Sequence, residues 1–190
     1  MGTEDPHQLH LRPVDLDVLV VDALHRCGAE PRRWLLATAD HVVVLADADR
    51  LCVALDALIE NAVHHTKEGD TIEVGVKNER GIAHITCRDT GTGISAEDLD
   101  RIFDRFARAD PGRSRRTGGF GLGLSIVRAI VEAHGGTVHV ESELGVGTTF
   151  GIELPVVRGN GDVRPVGVDR EPHISPVERS DRESIRDPAG

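Results

Sequence analysis

Three separated groups of residues in this chain are of types that bind a small polar ligand. The first is Asn61, in Glu60-Asn61-Ala62. A helix through this stretch sets Ala57, Asn61 and His65 in one stripe that drifts about 40° per step. The stripe lies beside the face made by Leu58 and Ala62, where an amide meets either a neighbouring backbone group or a ligand. The second is Asp89-Thr90-Gly91-Thr92-Gly93, placed where a run of strand-forming residues ends. A carboxylate there accepts a hydrogen bond from an exocyclic amine. Glycines allow positive φ and let backbone approach a flat ring. Alone, the same five residues also make a plain Asp-Gly turn. The third is Gly118-Gly119-Phe120-Gly121-Leu122-Gly123-Leu124-Ser125, which runs straight into a helical pattern. Free N–H groups at the positive end of a helix are a seat for phosphate oxygens. No Gly-Lys-Ser/Thr follows, so this is not a Walker loop. No strand immediately precedes it, which argues against a dinucleotide fold.

The elements that must position these groups follow from periodicity. Leu16 to Leu24 suits a short amphipathic helix after Pro13. Trp34 to Ala37 and Val42 to Ala46 read as two strands parted by an Asp40-His41 turn. From Asp49 to Thr66 the period changes: Leu51, Leu55, Leu58, Ile59 and Ala62 form one helix face, with Asp47 or Asp49 as its cap. Thr71 to Val76 and Ile82 to Cys87 alternate around Glu79-Arg80-Gly81 and predict an antiparallel hairpin. A short acidic helix starts at Ser95. Arg105 to Gly118 has no periodicity and reads as a long loop. Leu122 to His134 is helical and stops at Gly135-Gly136. Thr137 to Glu141 and Thr148 to Leu154 form a last strand pair around Gly145-Val146-Gly147.

Composition narrows the class. Hydrophobic residues make up 39 % of the 190, enough for a core, but with no Tyr and one Trp it must be built from Val, Leu, Ile and Ala. A net charge of −10 argues against a general nucleic-acid or membrane-surface binder. Cys27, Cys52 and Cys87 lack metal-type spacing and suggest small buried thiols in a reduced, cytoplasmic protein. No signal peptide and no apolar run of about 20 residues is visible, so direct membrane insertion is not expected. Residues 1–10 read as an N-terminal extension and 11–156 as one domain. Residues 157–190 carry four Pro and six Arg against seven Asp and Glu, with no aromatic, and are expected to be a disordered tail.

Taken in order, the boxes form a constellation. Asn61 is followed by the Asp89 to Gly93 segment, by Ile102-Phe103-Asp104-Arg105-Phe106, by the glycine-rich run, and by Gly147-Thr148-Thr149-Phe150. This order resembles the asparagine box, the F box and the glycine boxes of bacterial sensor histidine kinase catalytic domains. Those domains belong to a wider ATPase group with gyrase, a class of heat-shock chaperones and the mismatch-repair protein MutL. The resemblance covers roughly residues 11–156. It implies an α/β sandwich of the Bergerat type, one mixed sheet covered on one face by three helices, with ATP and Mg2+ as ligands. By position, it makes Asn61 the Mg2+ ligand and Asp89 the reader of the adenine amino group. Gly91, Gly93 and Ile94 would line the base, His65 would flank the nucleotide, and Thr148 would be a further nucleotide-binding position. Gly119, Gly121, Leu122, Gly123 and Leu124 would make the phosphate-side loop and helix start. Arg108 would reach the γ-phosphate from a segment, Arg105 to Arg116, that holds five Arg against one Asp.

The chain departs from the family pattern in ways that matter chemically. Relatives often carry Lys and then Tyr, Phe or His after the Asn-Ala pair; here the residues are His64 and His65. Hydrolytic relatives and the serine-phosphorylating anti-sigma factors carry a Glu base one turn before the asparagine, where this chain has Ala57. Glu60 points about 100° away from Asn61 and is expected to face solvent. The histidine helix of a sensor kinase is not present: His7 and His10 have neither the following acid nor the helix length. The resemblance therefore implies a histidine kinase whose phosphoacceptor domain is a separate protein or a missing upstream segment, with a response regulator downstream. The alternatives are an ATP-dependent binding module without phosphoryl transfer and an anti-sigma-like serine kinase.

Overall fold

The computed structural model describes residues 8–27, 31–104 and 123–157. Their elements, in chain order, are β1 (Arg12–Asp15), α1 (Leu16–Cys27), β2 (Arg33–Ala39), β3 (Val43–Ala46), α2 (Ala48–His65), β4 (Thr71–Glu79), β5 (Ile82–Asp89), α3 (Ala96–Leu99), α4 (Gly123–Ala133), β6 (Thr137–Glu143) and β7 (Gly147–Pro155). Five strands form one sheet in the order β2-β4-β5-β7-β6. β2 runs parallel to β4, and the remaining pairs are antiparallel. The sheet is therefore mixed. A parallel pair needs a long crossover, and residues 40–70, with α2 inside them, supply it.

One face of the sheet carries the core. Strand alternation puts Ile72, Val74 and Val76 of β4 on the same side as Ile85 and Cys87 of β5 and Phe150 and Ile152 of β7, and all are buried. α1 lies against β4, α2 against β5, and α4 against β6 and β7, so these three helices form the second layer. Leu51, Leu55, Leu58, Ile59 and Ala62 are the buried stripe of α2, as the periodicity predicts, joined by Ala54. Each fully buried Leu or Ile is worth roughly 1.5–3 kcal/mol of transfer free energy. Phe103 packs edge-to-face on Phe150, centroids 6.2 Å apart, and ties the segment after α3 to the sheet.

The helix ends are fixed by named groups. Of the two candidate caps of α2, Asp47 serves: its side chain accepts the Arg50 N–H. The same carboxylate accepts the backbone N–H of His10, while the Asp47 N–H donates to Nε2 of the buried His134. Nδ1 of His134 lies 2.7 Å from the Ile130 carbonyl, so the ring is the neutral tautomer with its proton on Nδ1. α4 stops at Gly135 (φ 70°), and the Gly136 N–H bonds back to Val131 O, the expected left-handed cap.

Two expectations are corrected. Trp34 to Ala37 and Val42 to Ala46 do not make neighbouring strands: β3 leaves the main sheet and pairs with β1, a short strand just before α1 that local spacing does not signal. Burial decides the partner, because in the β1–β3 ribbon Val14, Val44 and Ala46 are buried. β2 keeps Leu35 and Leu36 exposed at the sheet edge. Among the cysteines only Cys87 is buried, its thiol pushed up to about 12 by desolvation; Cys27 and Cys52 are half-buried. The expected loop from Arg105 to Gly118 lies outside the described residues, as does the expected tail except for Val157. No helix among the described residues is long and apolar enough to cross a membrane.

Candidate functional site

The site forms at one end of the sheet because four strands finish there in register. Ile72 of β4 pairs with Asp89 of β5, Asp89 with Thr148 of β7, and Thr148 with Ser142 of β6. Directly opposed residues point to the same face. Asp89, Thr148 and Ser142 therefore form a buried polar row on the helix-covered side, each under 9 % exposed. Oδ1 of Asp89 accepts the Gly91 N–H at 2.8 Å. Burial raises the Asp89 carboxyl above the ordinary range; the Gly91 N–H, the His65 ring and the Thr148 N–H oppose that rise.

The C-terminal end of α2 is held against this row. The Thr92 N–H bonds to the His65 carbonyl at 3.0 Å, so the loop after Asp89 satisfies one of the helix's orphan acceptors. Gly91 must be glycine for this approach, since a Cβ there would sit 2.1 Å from the His65 carbonyl oxygen. Gly93 has φ 66°, and a Cβ on it would meet the Glu143 carbonyl oxygen at 2.0 Å. Arg32 fixes the same helix end, donating to Thr66 Oγ1 and Thr66 O at 3.1 Å. On the far side of the loop, Ile94 N–H bonds to Ser142 Oγ at 2.8 Å.

α2 delivers Asn61 one turn before His65, half-buried at the edge of the core face. Ala57 comes one turn earlier, and a Cβ built on Gly123 would meet the Ala57 Cβ at 4.0 Å. The start of α4, Gly123 and the half-buried Leu124, thus lies beside the turn that precedes Asn61. Glu60 is exposed, as expected. His65 is exposed as well, yet its imidazole is pushed below the usual range, chiefly by desolvation and against the pull of Asp89. The ring is accordingly neutral at neutral pH. Nδ1 of His64 lies 2.8 Å from the Glu60 carbonyl, within its own helix.

The structure therefore brings together Asn61, His65, Asp89, Gly91, Gly93, Ile94, Thr148, Gly123 and Leu124. Arg108, Gly119, Gly121 and Leu122 lie outside the described residues. Arg32, Thr66 and Ser142 contribute to the site's geometry without having been singled out in the sequence. Ser142 could have been found from strand register, since it sits six residues before Thr148 across the Gly145 turn. Arg32 gave no comparable signal.

Comparison with known proteins decides the family. The histidine kinase-, DNA gyrase B- and HSP90-like ATPase family matches residues 46–158. The chain belongs to that family. Over 109 residues this ATPase domain is 47 % identical to the sensor protein SrrB of Staphylococcus aureus, covering 57 % of this chain and 19 % of that protein. The chain thus matches only about a fifth of the length of that curated relative. The mycobacterial sensor histidine kinase MprB has a similar structure, with TM-score 0.69 and 28 % identity over 76 % of this chain and 98 % of that one. Full-length ShkA, solved in complex with AMPPNP, aligns with TM-score 0.69 and 30 % identity over 84 % of this chain and 33 % of its own. The ATPase domain described here is an ATP-binding catalytic domain of the sensor histidine kinase kind.

Proposed function

We propose that this chain positions Mg·ATP for transfer of the γ-phosphoryl group to a histidine nitrogen on a separate or upstream phosphoacceptor domain, which in turn supplies a response regulator. The observation that carries this reading is the buried Asp89 carboxylate at the end of β5, held between the loop N–H of Gly91 and the end of α2. A buried carboxylate with accepting capacity to spare suits an exocyclic amine, and the adenine amino group is one. Gly91, Gly93 and Ile94 then line the base, Thr148 supports Asp89 from the next strand, and His65 flanks the nucleotide as a neutral ring.

The phosphate side rests on α4 and α2. Gly123 and Leu124 open α4 beside Ala57, and the preceding Gly119, Gly121 and Leu122 would present backbone N–H groups to the phosphates. Asn61 offers a hard amide oxygen on a half-exposed turn next to that helix start, a donor that suits Mg2+. When bound, the cation would neutralise phosphate charge. Arg108 would add positive charge at the γ-phosphate, where phosphoryl transfer depends mainly on positioning and charge stabilisation. Ala57 offers no proton acceptor, which favours an acceptor that brings its own base over direct hydrolysis. On this reading the domain works in the cytoplasm, where ATP is.

The test mixes the chain with γ-labelled ATP and a dimerisation/phosphoacceptor protein of a sensor kinase. Acid-labile, base-stable label on the partner is the expected result. Label on serine would replace the reading by a serine kinase, and ATP binding without transfer to any tested acceptor domain would replace it by a binding module.

A further inference from the structure

The polar row at the end of the sheet gives Ser142 a part in selecting the base, an inference that rests on reading Asp89 as the adenine-side carboxylate. A serine hydroxyl has one proton and two lone pairs. Ser142 Oγ accepts the Ile94 N–H at 2.8 Å, lies 2.9 Å from the Gly147 carbonyl oxygen, and lies 2.9 Å from Thr148 Oγ1. A carbonyl oxygen only accepts, so the Ser142 proton belongs to the Gly147 contact. The contact between the two hydroxyls is then a hydrogen bond only if Thr148 is its donor. In the reverse arrangement, Ser142 Oγ and the Gly147 oxygen would face each other at 2.9 Å with no proton between them. One assignment alone satisfies all three contacts, and it consumes the Thr148 proton. Ser142 and Thr148 are 7 % and 4 % exposed, so bulk water does not offer an easy substitute.

We infer that Ser142 sets the hydrogen-bond polarity of the base pocket, holding Thr148 as an acceptor beside the acceptor carboxylate of Asp89. Thr148 and Asp89 are directly opposed across β7 and β5, so their side chains share one face of the sheet. Two neighbouring acceptors, reached directly or through a bridging water, suit a 6-amino group with its two N–H donors. They disfavour a 6-oxo group, which brings only lone pairs. Ser142 is thus a positioning residue: it acts on the base through Thr148.

The measurement is the ratio of ATP to ITP affinity, since ITP differs in carrying a 6-oxo base. The full 190-residue chain is titrated with each nucleotide in the presence of Mg2+. Wild type should prefer ATP. In Ser142→Ala, checked for folding by circular dichroism, Thr148 is free to turn its proton toward a 6-oxo group. The ratio should fall about tenfold, the scale of one hydrogen bond of reversed polarity. Mere loosening of the Ile94 loop would weaken both nucleotides alike and leave the ratio unchanged. Thr148→Val, close in shape, removes the oriented hydroxyl and should lower the ratio if Ser142→Ala does not fold. An unchanged ratio in a folded variant, or equal wild-type affinity for ATP and ITP, overturns the polarity role while ATP binding stands. Wild type binding neither nucleotide overturns the adenine reading and this inference with it.

Discussion

At the scale of single residues the site asks opposite things of Asp89 and Asn61. Asp89 is buried and its carboxyl is raised, so its charge costs stability at neutral pH in the folded chain. For a group whose folded pKa lies above its unfolded value, that cost is present above the folded pKa and disappears as pH falls below the unfolded one. Asp89→Asn should therefore keep a thermal midpoint within a few degrees of wild type at pH 7 while losing about a hundredfold in ATP affinity by calorimetry. Wild-type affinity should also contain a step, absent from the Asn variant, that begins above the ordinary aspartate range near pH 4 as pH is lowered. A wild-type profile parallel to that of the variant would remove Asp89 from base recognition. Asn61 is half-exposed, at the edge of the core face. Asn61→Ala should change stability by less than about 1 kcal/mol yet abolish Mg2+-dependent transfer. Full transfer in that variant would refute the metal role.

Elements matter here through their ends. α2 carries Asn61 near its C-terminus, and its N-terminus is anchored by Asp47, which gathers His10, Arg50 and, through its own N–H, His134 of the segment that ends α4. Accepting the His10 N–H holds the Asp47 carboxyl below the usual range, with the Arg50 N–H adding to the effect and desolvation opposing it. The sign follows directly: a lowered pKa contributes stability above the unfolded value, and that stability is lost as pH falls through the folded one. Asp47→Ala should cost about 1–2 kcal/mol in urea unfolding at neutral pH. The gap to wild type should narrow below about pH 4, and a gap independent of pH would contradict the cap's electrostatic part. The helix was legible in the sequence because five apolar residues mark one face. Its distal anchor was not, since nothing in Ala133-His134-Gly135 announces that the imidazole meets the start of a helix 87 residues earlier in the chain.

Across the whole molecule, the chain is tied at both ends of the described fold. His10 reaches Asp47, and Val157 N–H bonds to Val43 O beside the β1–β3 ribbon. A chain ending at Val157 should retain the unfolding midpoint and ATP affinity of the full chain. One starting at Leu11 should lose stability through Asp47, measured in the same assay. A large loss of ATP affinity on removing residues 158–190 would move the functional boundary beyond the one expected near residue 156. The family match from 46 to 158 covers the Asn61, Asp89 and Thr148 elements but begins at the last residue of β3. β1, α1 and β2, with Arg32 just ahead of β2, lie outside that match, while the structural likeness to MprB extends over 76 % of the chain.

The sequence by itself determined the boxes, their order, the long helix of Asn61, the β4–β5 hairpin, the glycine stop of α4 and the family. Each is written in local spacing or residue type, which survives without knowledge of the fold. Tertiary structure alone decided that β3 pairs with β1, because several strands could satisfy its backbone and only burial of Val14, Val44 and Ala46 selects the partner. It also decided that Thr148, with Ser142 beside it across the Gly145 turn, lies opposite Asp89. Cross-strand register joins residues up to 59 positions apart, and no periodicity along the chain records it.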